Sequence, residues 1–106
     1  MHLKDRDKTF HDKSAELLSH LANCNRLDIL RLLLDTEISV GDLSRKIGLS
    51  QSALSQHLAR LRSSGLVETR RDAQTIYYTT RHDGVRKLLQ CLEEITSDGL
   101  QEKLAR

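Results

Sequence analysis

Between Gln51 and Ser64 the side chains that can hydrogen-bond and those that can only pack fall on opposite sides of a helix. At about 100° per residue, Leu54, Leu58 and Leu61 share one narrow sector. Ser52, Ser55, Gln56, Ala59 and Ser63 lie opposite, flanked by Arg60 and Arg62, and the stretch contains no acid. A helix face that meets only water usually carries Lys/Glu pairs. Hydroxyls, a carboxamide and a small methyl group are what is needed to read base edges in a major groove. Gln can bond N6 and N7 of adenine together, Ser can donate or accept, and an Ala methyl can meet the thymine methyl. Short side chains also let the helix backbone come close to the bases. His57 rotates toward Leu54 and Leu61 and is assigned to packing.

Charge placement points the same way. The whole chain carries only +2, too little to announce a polyanionic partner. From residue 45 to residue 71, however, Arg45, Lys46, Arg60, Arg62, Arg70 and Arg71 face Glu68 alone, a local balance of +5 that leaves −3 elsewhere. Concentrated positive charge favours phosphate contact and counterion release even on a nearly neutral protein. Arg70, Arg71 and Gln74 bracket a turn between two β-prone runs. They are candidates to grip backbone phosphates or enter the neighbouring minor groove.

Other chemistries find little support. Ser52, Ser55 and His57 share one helix, but no acid is placed to orient the histidine, and no Gly-rich phosphate loop exists, so catalysis is not expected. Cys24 and Cys91 stand 67 positions apart, neither a paired metal spacing nor the framework of a disulfide-stapled domain. They are the candidates for thiol redox sensing, and a disulfide between them would need Cα atoms within about 7 Å. No cofactor and no metal are expected.

The elements that must position these groups follow from periodicity. The chain's 106 residues suit one domain. Frequent Leu, no Pro or Trp, one Phe and two Tyr favour a helical core over an aromatic β-sandwich. Residues 1–9 are expected to be flexible. A first helix carries Phe10, Leu17, Leu18 and Leu21 on one face, and a second, from Asn25 to about Leu34, is apolar nearly all round. Ser39 opens a short helix, with Asp42 reaching back as in a capping box, and Gly48 closes it. Ser50 caps the Gln51–Ser64 helix, which completes a helix-turn-helix. Residues 66–71 and 75–80 form a β-hairpin around Asp72-Ala73-Gln74. Helical spacing returns at Val85, Leu88, Leu89, Leu92 and Ile95, until Ser97-Asp98-Gly99 interrupts it and 97–106 becomes a turn or tail. No run approaches the roughly 18 apolar residues of a membrane span, and MHLKDRDKTFHDK lacks an apolar signal region, so the cytoplasm is the expected location.

The order of these elements, together with VGDLSRKIGLSQSALSQHLARLRSSGLVETRRDAQTIYYTT, resembles the ArsR/SmtB winged-helix repressors over roughly residues 14–96. The resemblance implies a mainly α fold with a small β-hairpin wing, a winged helix-turn-helix. It implies a homodimer built from the first and last helices, one recognition helix per half-site of a pseudo-palindromic DNA operator. It places Gln56 against bases, with Gln51, Ser52 and Ser55 around it. Family metal sites map here onto Ser39-Val40-Gly41-Asp42 and onto His82, Gly84, Ile95 and Asp98, sets too poor in side-chain ligands for zinc. Relatives that sense oxidants carry cysteines where this chain has Arg31 and about Ser97. Cys24 and Cys91 leave a thiol-responsive repressor of the same fold as the alternative reading.

Overall fold

The structure is a computed structural model that describes residues 5–105, with side chains from 9 to 97. Five helices surround one Leu-rich core. They are α1 (Asp5–Leu21), α2 (Cys24–Leu33), α3 (Val40–Ile47), α4 (Gln51–Ser63) and α5 (Asp83–Ala105). Three short strands, β1 (Ile38–Ser39), β2 (Glu68–Asp72) and β3 (Thr75–Thr79), form an antiparallel sheet in the order β1-β3-β2. This is the expected mainly α fold with a hairpin wing, plus a third strand the sequence did not announce.

Apolar spacing decides which faces turn inward. Ile29, Leu30 and Leu33 of α2, Leu43 of α3 and Leu54 and Leu61 of α4 are wholly buried, and Leu58 nearly so. Leu21, Leu66, Val67 and Val85 complete the cluster. Burying one such side chain is worth about 1.5–3 kcal/mol, so the leucines of α4 hold that helix firmly to the body. The sheet is tied to α2 by backbone. Thr80 N–H donates to the Leu33 carbonyl at 3.1 Å, and Asp35 N–H donates to the Thr80 carbonyl at 3.1 Å.

Several boundaries differ from expectation. The first helix begins at Asp5, inside the stretch 1–9 expected to be flexible; DRDK contains no Gly, Pro or β-branched residue to stop a helix. Residues 1–4 lie outside those described. The second helix begins at Cys24, because Asn23 Oδ1 accepts from Arg26 N–H at 3.1 Å and so caps it. The last helix runs through Ser97-Asp98-Gly99 to Ala105, where a turn or tail was expected. A helical Gly costs about 1 kcal/mol relative to Ala, too little by itself to end a helix.

Two helices present apolar surface to solvent. Phe10 is 65% exposed and Leu18 57% on α1, and Ile95 is 62% exposed on α5. A cleft lined by Leu17, Leu21, Leu66, Val85 and Leu88 separates these two helices. Among the described residues no helix is long and apolar enough to cross a membrane.

Candidate nucleic-acid interface

Capping sets the geometry of α3 and α4. Ser39 Oγ accepts from Asp42 N–H at 3.2 Å, and Ser50 Oγ accepts from Ala53 N–H at 3.1 Å. The Asp42 carboxylate does not reach back as a capping box would; it forms an ion pair with Arg45 one turn on. Between the helices Gly48 adopts φ +81°, a left-handed conformation that costs glycine nothing. Gly48 N–H bonds the Ser44 carbonyl at 2.9 Å, and the Ser44 hydroxyl donates to the Leu49 carbonyl, which locks the turn. Gly65, at φ +77°, ends the second helix, with Leu66 N–H returning to the Leu61 carbonyl at 2.9 Å.

With Leu54, Leu58 and Leu61 turned into the core, Gln51, Ser52, Ser55, Gln56, Ala59, Arg60, Arg62 and Ser63 are all exposed on α4. The two helices converge at their N-terminal ends. An ideal Cβ on Gly41 would lie 3.8 Å from Arg45 Nη1 and 3.9 Å from Gln51 Nε2, so both side chains lie beside the start of α3. Of the six cations between 45 and 71, Arg45 is tied to Asp42 and Arg70 to Glu37. Lys46, Arg60, Arg62 and Arg71 have no acidic partner among the described residues. Unpaired cations around an acid-free polar helix leave both charge and hydrogen-bonding capacity available to a polyanion.

The wing is a hairpin with a two-residue turn, since Asp72 pairs with Thr75 across Ala73-Gln74. Gln74 and Arg71 are exposed at this tip. Neighbouring residues of a strand point to opposite faces, so Arg70 and Arg71 cannot share one environment. Arg70 stands opposite Tyr77, and Arg71 opposite Ile76. The Arg70 guanidinium lies 4.8 Å from the Tyr77 ring centroid, and its Nε donates to Glu37 Oε2 at 2.7 Å. The Glu37 hydrogen bond, and then its charge, raise the Arg70 pKa further. Glu37 did not stand out in the sequence; it lies 33 residues from its partner, and nothing local marks it.

His57 is half-buried on the core side of the exposed face, as its rotation predicts. Burial, then the charges of Arg26 and Arg60, push its imidazole below the ordinary 6.5. Arg26 was also not foreseen. It is only 8% exposed, its Nη2 reaches the Ser19 carbonyl at 3.5 Å, and its Nε has no hydrogen-bond partner among the described residues.

Both cysteines are free and exposed. Cys24 begins α2 and lines a cleft with Leu27, Arg31, Leu89, Leu92 and Glu93. Cys91 points about 150° away from the face of α5 that lines this cleft, at roughly 100° per residue. The fold therefore does not bring the two thiols together there. At the start of α5, His82 Nδ1 accepts from Val85 N–H at 3.3 Å, so the imidazole caps the helix. An ideal Cβ on Gly84 would sit 2.9 Å from His82 Cε1. Among the described residues no group of three or more His, Cys, Asp or Glu could hold a metal ion.

Known proteins share both sequence and geometry. The family model described as bacterial regulatory protein, arsR family, matches residues 23–69. The nodulation protein NolR of Rhizobium meliloti is 53% identical over 93 residues, covering 85% of this chain and 76% of that protein. A crystal structure of NolR from Sinorhizobium fredii superposes with a TM-score of 0.85 at 50% identity, over 90% of this chain and 95% of that one. A solution structure of a homodimeric winged helix-turn-helix DNA-binding domain from Mycobacterium bovis superposes with a TM-score of 0.79 at 31% identity, over 92% of this chain and 91% of that one.

Proposed function

The chain belongs to the arsR family of bacterial regulatory proteins and is a DNA-binding transcriptional regulator, not an enzyme; we propose that it is a repressor acting as a homodimer on a pseudo-palindromic operator. Each copy lays α4 in a major groove. Gln56 reads a base edge, with Gln51, Ser52 and Ser55 around it, while Arg60, Arg62, Arg71 and Gln74 hold the phosphates on either side. Two half-sites then lie about one helical turn, roughly 10 bp, apart or a multiple of it. A dimer seated on such a site excludes polymerase from the same stretch of duplex.

The observation that carries this reading is the exposed face of α4. It is acid-free and rich in hydroxyl and carboxamide groups, and its own Arg60 and Arg62 have no acidic partner among the described residues. Dimerisation draws support from the exposed Phe10, Leu18 and Ile95, which a second copy would cover, and from the homodimeric Mycobacterium bovis domain of the same fold.

Selection of bound duplexes from random-sequence DNA, with sedimentation of the free and bound protein, tests the proposal. Enrichment of an inverted repeat bound by two copies is the expected result. Enrichment of no sequence above background would refute it. The same selection with reduced and peroxide-treated protein tests the thiol-responsive alternative through Cys24 and Cys91.

A further inference from the structure

Arg70 is one of the two wing cations that the sequence offers to phosphate, yet its side chain already has partners on both sides. The row Arg70–Tyr77–Ser39 crosses all three strands, because Arg70 pairs with Tyr77 and Tyr77 with Ser39. The guanidinium lies over the Tyr77 ring and ends on the carboxylate of Glu37, the residue before β1. β1 is two residues long and leads straight into α3, whose N-cap is Ser39. One side chain thus spans from the outer strand of the wing to the segment from which the helix-turn-helix starts. Backbone ties at Thr80 and the buried Leu66 and Val67 hold the base of the hairpin, and this side chain adds a brace farther out along it. Arg71, on the opposite face with no acidic partner among the described residues, is left to meet solvent or phosphate.

We propose that Arg70 is a positioning residue, which with Glu37 and Tyr77 fixes the wing relative to α4 and makes no phosphate contact itself. The proposal rests on the DNA-binding reading above, because it concerns how the wing is presented to the duplex. It separates from a phosphate role by sign. If Glu37 and Arg70 together brace the wing, removing Glu37 lowers the preference for the selected duplex over a random one. If Glu37 merely sequesters a phosphate ligand, removing it leaves that preference intact and strengthens binding to both.

The test uses the full chain, a duplex selected by the protein from random DNA, and a random duplex of equal length. Arg70→Gln should lower preference for the selected duplex about three- to tenfold, the range of one exposed ion pair with a cation–π contact, and Glu37→Gln, which leaves the cation–π contact in place, by up to about fivefold. The dependence of log K on log salt should stay unchanged for Arg70→Gln. The charge-reversed pair, Arg70→Glu with Glu37→Arg, should recover most of the preference, although position 70 is then negative. Thermal unfolding of each variant identifies any that fails to fold, and Glu37→Gln alone still decides the sign. A salt slope reduced by about one unit in Arg70→Gln, or a preference for the selected duplex that is unchanged or increased in Glu37→Gln, would overturn the proposal. Failure of the unsubstituted protein to select any duplex would instead refute the DNA-binding reading.

Discussion

Replacing Gln56 by Ala tests the recognition face at its centre. Gln56 is exposed on α4, one turn from Ser52 and Arg60, and its carboxamide makes no hydrogen bond among the described residues. The folded protein therefore loses nothing by its removal, and Ala has the higher helix propensity, so stability should stay within about 0.5 kcal/mol. A carboxamide bonded to adenine N6 and N7 discriminates by about 1–3 kcal/mol. At 1.4 kcal/mol per factor of ten, that is roughly five- to 150-fold in affinity for each half-site carrying the contact. Fluorescence anisotropy on a selected duplex and on its single-base variants measures it. The unsubstituted protein should penalise replacement of one base pair, and Gln56→Ala should bind all four bases at that position with similar affinity. Random duplex should be bound as before, since the phosphate contacts are intact. Equal weakening on selected and random DNA, or a base preference that survives the substitution, would refute direct readout by Gln56.

Arg71→Ala should weaken selected and random duplexes alike and reduce the salt slope by about one unit, as loss of one phosphate contact requires; titrations at several salt concentrations check this. Leu61→Ala, at a site with no exposure, should cost about 2–5 kcal/mol in urea unfolding, because the cavity lies under the recognition helix. His57 has a folded pKa below its ordinary 6.5, so the unfolded chain binds the proton more readily. Its contribution is present above pH 6.5 and is lost as pH falls from there toward the folded value. Stability measured by denaturant unfolding should decline over that window, and His57→Gln should flatten the decline. An unchanged profile would place the titrating group elsewhere.

What was legible in the sequence was what local pattern determines. Leu54, Leu58 and Leu61 at helical spacing assigned the two faces of α4 without any knowledge of what packs beneath. Ser39, Ser50, Gly48 and Gly65 marked the helix ends, because capping and positive φ are satisfied within a few residues. Contacts between distant segments were not legible. The strand β1 exists only because Ile38 and Ser39 meet Tyr78 and Tyr77 some 40 positions on, and two residues carry no periodicity of their own. The pairing of Arg70 with Glu37 has the same origin, and it alters how a charge count should be used. A balance of +5 between residues 45 and 71 shows where the field is positive. It does not show which cations are at liberty, because Asp42 and Glu37, both outside that window, engage Arg45 and Arg70. Four cations remain without an acidic partner among the described residues, Lys46, Arg60, Arg62 and Arg71, spread over α3, α4 and the wing. Because counterion release counts phosphates actually neutralised, the salt slope of each copy should follow Arg60, Arg62 and Arg71, the unpaired cations placed on phosphates above, and not the six that the sequence counts.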